Sequence, residues 1–320
     1  ILIVLIFTAL FNIQILRSQE SDTLNEQSGF LNSFKTGGYA SIIFNQISFL
    51  HWAKGGENSI SATGLLNLFA NMKEEKFVWE NTLDFKYGLQ NTDEFGLRTN
   101  QDVIDISSKF GFKALDQFYY TGLLSFKTQF APGYNYPIDS IVVSRFFSPA
   151  YLIVSLGMDF KPNDDFSLYI SPMTGKFIYV TDVGIANIGT YTSEPAKKDT
   201  SGNIIKQGNT LKSDFGAYLR INYKTELMEN ITLKTKFEIF NNYSDKIIKN
   251  RRNFDIDSET SIVMKVNELI SANFFLHLIY DDDTKVPLYE YLDGKKIQVG
   301  SGPRLQLQEV LGIGVSYYFK

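Results

Sequence analysis

Residues 304–320 read Arg-Leu-Gln-Leu-Gln-Glu-Val-Leu-Gly-Ile-Gly-Val-Ser-Tyr-Tyr-Phe-Lys. Leu305, Leu307, Leu311, Ile313, Val315, Tyr317 and Phe319 fall on one parity. Arg304, Gln306, Gln308, Gly312, Gly314 and Ser316 fall on the other. Period-two alternation of this kind predicts a β-strand with one apolar face. The run is long beside the usual strand of about five or six residues. It reaches the roughly nine to eleven residues that a tilted strand needs to cross a bilayer.

The rest of the chain repeats that pattern. Its 320 residues suffice for one large barrel or two ordinary domains. Phe and Tyr are abundant, 27 and 18, yet charged residues still make up 21%. Helical membrane proteins do not combine the two. A transmembrane barrel does, because half of each strand meets lipid and half meets water. There are 0 cysteines, which excludes disulfides, thiolate metal sites and a cysteine nucleophile. The net charge of −4 gives no reason to expect a nucleic-acid partner.

Ile1 to Leu16 is apolar and is followed by Arg17-Ser18-Gln19-Glu20. This has the form of the core and cleavage zone of a secretory signal peptide, spanning 1–19, with its start cut short. A flexible segment, 20–36, is expected next, and a barrel over 37–320. Strands are predicted near 38–52, 60–72, 77–89, 104–113, 118–130, 152–160, 166–180, 214–224, 231–239, 256–266, 271–281 and 305–319. Pro172 predicts a bend or bulge in the seventh. Short links alternate with longer ones at 91–100, 131–148, 182–211, 244–252 and 282–303. That asymmetry suits a barrel of about twelve antiparallel strands with tight periplasmic turns and long external loops. The soluble rivals are a β-sandwich or a lipocalin-like barrel. They would bury Lys, Glu and Arg strand after strand, or else expose a band of Phe, Leu and Ile.

The inward parity carries Glu80, Asp84, Lys86, Asp105, Lys109, Lys127, Asp159, Arg220, Lys224, Lys234, Lys236, Glu238, Asp257, Glu259 and Lys265. These either line a selective pore or lock together as a plug. Arg220, Lys224, Lys234 and Lys236 form a basic ladder on two neighbouring strands. It would suit an anionic solute, or be satisfied by facing carboxylates. His51 and His277 stand alone in sequence, without H-x-x-H or H-E-x-x-H spacing. A metal site at the inward His277 would need carboxylates from neighbouring strands, and a solvated histidine is the plainer expectation. Trp52, Trp79, Tyr317 and Phe319 suit an aromatic girdle at the membrane interfaces. No nucleophile or phosphate-loop motif stands out, and no cofactor is expected.

Two resemblances add to this. The closing strand, with its aromatic next to last, resembles the C-terminal signal strand of bacterial outer-membrane barrels, which implies handling by the barrel-assembly machinery. Asn45-Gln46-x-Ser48-Phe49-x-x-Trp52-x-x-Gly55-Gly56-x-Asn58-Ser59 and Trp79-x-Asn81-x-Leu83-Asp84-x-x-Tyr87-Gly88 look like the opening blocks of an uncharacterised outer-membrane barrel family of the Bacteroidetes. That resemblance implies a barrel in contact with outer-membrane lipid and no known catalytic residue. The functional expectation is a non-enzymatic narrow channel or solute transporter. The alternative is a plugged accessory barrel whose external loops meet other envelope proteins. Loop 182–211 bears on the choice: folded into the lumen it would gate or plug, and projecting outward it would meet a partner.

Overall fold

The computed structural model describes residues 33–48, 58–135, 138–192, 194–284, 286–292 and 295–319. The expected signal peptide, residues 20–32, His51, Trp52 and Gly55-Gly56 lie outside the described residues. In chain order come β1 (Phe34–Ile47), β2 (Ser59–Lys73), β3 (Phe77–Thr92), β4 (Gly96–Leu115) and β5 (Phe118–Thr128). A small hairpin follows, β6 (Gly133–Asn135) and β7 (Ile138–Ser144), then β8 (Ala150–Phe160) and β9 (Phe166–Tyr179). The next loop holds helix α1 (Val183–Ile188) and the hairpin β10 (Lys197–Lys198) and β11 (Ile204–Lys206). After β12 (Leu211–Met228) and β13 (Ile231–Asn242), a 3-10 turn at Ile248–Arg252 leads to β14 (Asp255–Lys265) and β15 (Ile270–Tyr280). A third hairpin, β16 (Val286–Leu292) and β17 (Lys295–Gly302), precedes β18 (Gln306–Phe319).

The long strands close into one antiparallel barrel in the order β1-β2-β3-β4-β5-β8-β9-β12-β13-β14-β15-β18, and β18 returns to β1. The seam sets Gly38 opposite Phe319, Ser41 opposite Ser316 and Phe44 opposite Ile313. Twelve strands, an even number, bring both ends of the barrel segment to the mouth that carries the short turns, as expected. Asparagine side chains fix two of those turns. Asn163 accepts from the backbone N–H groups of Asp165 (3.0 Å) and Phe166 (2.9 Å). Asn267 accepts from Leu269 (2.9 Å) and Ile270 (2.7 Å).

The outward parity is apolar all round. On β18, Leu307, Leu311 and Ile313 are 62–66% exposed. Phe44, Phe110, Phe112, Tyr120, Leu156, Ile170, Phe215 and Tyr317 are also bare to the outside. Water would not tolerate so continuous an apolar belt on a monomer, and lipid hydrocarbon covers it without cost. The charged parity faces inward, so the predicted phase holds on strand after strand.

Some expectations need correction. Residues 91–100 are not a loop. β3 and β4 keep pairing as far as Thr92 and Gly96, and the link is a tight turn closed by Gly96 at φ 64°. β1 starts at Phe34, inside the segment expected to precede the barrel, because Phe34 is buried with Ala70 and Met72 against Trp79. The loops at 131–148, 182–211 and 282–303 fold into hairpins of their own. The break at Pro172 is as read: Leu156 faces Met173 and Met158 faces Ile170, so Gly157 opposes two residues, a β-bulge. Ser171 satisfies the bulge, donating to the Leu156 carbonyl (2.7 Å) and accepting from the Met173 N–H (3.1 Å).

Candidate functional site

The lumen is where the inward charges meet. Strand register stacks them into rungs. Arg220 faces Glu238, which faces Asp257; Asn222 faces Lys236, which faces Glu259, which faces His277. On the far wall Asn67, Asp84, Asp105 and Lys127 form another continuous rung. The two walls then reach for each other. Lys236 on β13 meets Asp105 on β4 at 2.8 Å, and its neighbour Glu259 at 3.4 Å. Lys127 on β5 meets Asp257 (3.3 Å) and Glu259 (3.4 Å) on β14. Lys86 on β3 meets Glu259 at 2.6 Å. Arg220 pairs with Glu238 at 2.6 Å and also donates across the lumen to Ser107 (2.8 Å) and Ser125 (3.2 Å). These contacts join strands that are far apart in the barrel order, so they are bars across the bore.

Two further layers flank the bars. Towards the short turns, Lys109 pairs with Asp159 (2.6 Å) and Glu80 (3.2 Å) and donates to Ser167 (2.7 Å). Lys161 reaches the same Glu80. Towards the loops, Lys176 pairs with Asp255 at 2.8 Å. The inward parity also carries a packed core that sequence reading missed: Leu123, Tyr169, Tyr218 and Phe240, with Ile153 against them. Tyr169 and Tyr218 meet edge to face, 6.3 Å between ring centres. Tyr218 accepts from Arg220 (2.8 Å) and donates to Glu238, so the core and the bars are one structure. The signal was present in Tyr218 and Phe240, large side chains on an otherwise polar parity.

The expected basic ladder therefore splits. Arg220 and Lys236 are spent on the bars, whereas Lys224, Lys234 and Lys265 lie nearer the short turns and take no part in them. Asp257, Glu259 and His277 bring one ligand atom each within 4.8 Å of one another. That is the carboxylate supply a metal at His277 would need. The set does not fit a dication, because Lys86, Lys127 and Lys236 already neutralise these carboxylates and His277 is hydrogen-bonded to Asp257 at 2.8 Å. Trp79 sits near the start of β3, half-buried on the outer face. It donates to Ser108 (3.0 Å), which donates to Asn81 (2.8 Å), and Asn81 donates to the Ala70 carbonyl (2.9 Å). The indole thereby covers polar groups on the lipid side. Tyr317 and Phe319 stack at the end of β18, 6.2 Å between centres.

Residues 44–134 match a family model described as a protein of unknown function (DUF3078). The Trp79–Gly88 block and the two ends of the Asn45–Ser59 block quoted above, 45–48 and 58–59, fall on described residues within it. The match covers less than a third of the chain, and the description states no activity. No curated protein matches. Among solved structures the chain is similar to the COG4313 outer membrane channel from Pseudomonas putida F1, at 11% identity and TM-score 0.38, covering 88% of this chain and 96% of that one. It is similar to the translocator domain of autotransporter NalP from Neisseria meningitidis, at 9% identity and TM-score 0.37, covering 96% of each. The NanC porin gives 9% identity and TM-score 0.36, covering 88% of this chain and 99% of that one.

Proposed function

We propose that this protein is a non-enzymatic barrel of the bacterial outer membrane, closed across the middle of its lumen, that serves as a subunit of an envelope assembly. The observation that carries this reading is the set of bars: Lys236 to Asp105, Lys127 to Asp257 and Lys86 to Glu259 each tie opposite walls together. Each ion is paired and partly buried, and leaving such a charge without its partner is costly, which favours the closed bore at rest.

The loops support a partner on the outer side. Loop 182–211 packs on other loops: Tyr191 donates to the Val143 carbonyl (3.1 Å), and Glu194 is salt-bridged to Lys246. That leaves Ile204 and Ile205 on β11, and Ile248 on the 3-10 turn, exposed. The barrel-assembly machinery is the partner proposed for β18, whose outer face carries leucine, isoleucine, valine and aromatic residues.

The second reading is a narrow channel or solute transporter. What favours it is water at the bars: Lys127 and Asp257 each keep 27% of their side-chain surface exposed. Reconstitution into a planar bilayer separates the two. The closed barrel gives no steady conductance. Steady, ion-selective openings from the unsubstituted protein would replace this reading with the channel.

A further inference from the structure

We infer that the short-turn mouth of the lumen holds a binding site for a small organic anion, built from Lys224, Lys234, Lys265, Tyr39 and Tyr318. Lys224 and Lys234 are direct register partners on β12 and β13. Like charges placed opposite each other on a sheet repel. At the bars and in the layers that flank them, Lys86, Lys109, Lys127, Lys161, Lys176 and Lys236 are answered by carboxylates, and here the lysines are not. Among the described residues neither lysine has a carboxylate within ion-pair distance, and Lys265 has none either.

What these ammonium groups do face is a ring platform. Lys234 Nζ lies 5.1 Å from the centre of the Tyr39 ring, and Lys265 Nζ lies 4.2 Å from that of Tyr318. The two rings are themselves neighbours, 5.7 Å apart and tilted by 33°. They are brought together by the barrel seam, where Tyr39 on β1 pairs with Tyr318 on β18. The platform is thus flanked by a cation at each side. A carboxylate, Asp84, lies along the same rung, since Tyr39 pairs with Asn67 and Asn67 with Asp84; it accepts from Asn67 at 2.7 Å and makes no ion pair with Lys234. Glu226 follows Lys224 on β12 and is exposed at the rim.

Two cations beside a pair of neighbouring rings select a ligand with two negative groups on a flat body. The acids take the lysines by charge-assisted hydrogen bonds, and the body lies against the tyrosines. The ligand enters from the short-turn side and stops at the bars, so the site is a closed-ended vestibule. This inference extends the closed-barrel reading and does not depend on whether the bars conduct.

Isophthalate, a flat dicarboxylate, is the probe. It is titrated calorimetrically into the full-length folded barrel in detergent. A single saturable site is expected, weakened about tenfold by Lys234→Gln and by Lys265→Gln, the loss of one charge-assisted contact. Lys265→Arg keeps the charge and keeps the affinity, which guards against a variant that fails for want of folding. Lys76→Gln, in the β2–β3 turn at the same mouth, leaves binding unchanged. Absence of saturable binding, or equal affinity in the unsubstituted, Lys234→Gln and Lys265→Gln proteins, overturns the site. Conductance plays no part in this readout, so a conducting barrel that binds isophthalate refutes only the closed lumen.

Discussion

Asp159 and Asp164 are both carboxylates paired with a lysine near the short turns, and they should behave quite differently. The Asp159 side chain is 2% exposed, and its partner Lys109 is 8% exposed. Removing one partner of such a pair strands a buried charge, at a cost of about 3–5 kcal/mol. Asp159→Asn should therefore lower the unfolding free energy of the barrel in vesicles by that order, measured by urea titration. Asp164 sits in a turn and meets Lys73 at 2.7 Å, with both side chains mostly in water. The Lys73 hydrogen bond holds the Asp164 carboxyl below its usual range. Its contribution is present above the unfolded carboxylate value and is lost as pH falls through the lower folded value. Solvent screening keeps it within about 1 kcal/mol. Asp164→Asn should be nearly silent in the same titration, and a loss as large as that of Asp159→Asn would mean the rim is not solvated.

At the scale of a strand, the bulge in β9 is the informative element. A Cβ on Gly157 would collide with the Ile170 carbonyl oxygen, and backbone cannot step aside as a side chain can. Gly157→Ala should cost about 1–3 kcal/mol in the same unfolding titration, as overpacking does elsewhere. Gly122→Ala, on β5 with only the tip of Leu156 near at 3.6 Å, should be neutral. Equal losses would show that the bulge is not the constraint.

The strands were legible because alternation needs only one dimension. Lipid outside and charge inside impose period two on each strand, and Pro172 marks one of the places where the register shifts. The hairpin at β3–β4 was hidden because Asn91–Asn100 is polar, and polar residues are no obstacle to pairing above the membrane. The hairpin of β10 and β11 was hidden for a different reason: its strands are two and three residues long, too short for a period to emerge. The site was half legible. Inward charges could be named from phase, but which cation meets which carboxylate depends on shear and closure. Lys236 and Asp105 are distant in sequence and on opposite walls, and no local pattern links them. The division of Arg220 and Lys236 from Lys224 and Lys234 follows from that closure alone.

For the whole molecule, an apolar exterior and a barred interior make one claim, that this is a membrane-spanning barrel with no through path at rest. Because the chain has 0 cysteines, single cysteines can be placed without a background. Lys212 and Lys224 lie on the same inward face of β12, on either side of Arg220. Lys212→Cys and Lys224→Cys are reconstituted separately in sealed, uniformly oriented vesicles and exposed from outside to a charged, membrane-impermeant thiol reagent. The account predicts that one of the two positions is modified and the other becomes reactive only when the vesicles are opened. Modification of both from the same side, at similar rates, would contradict it.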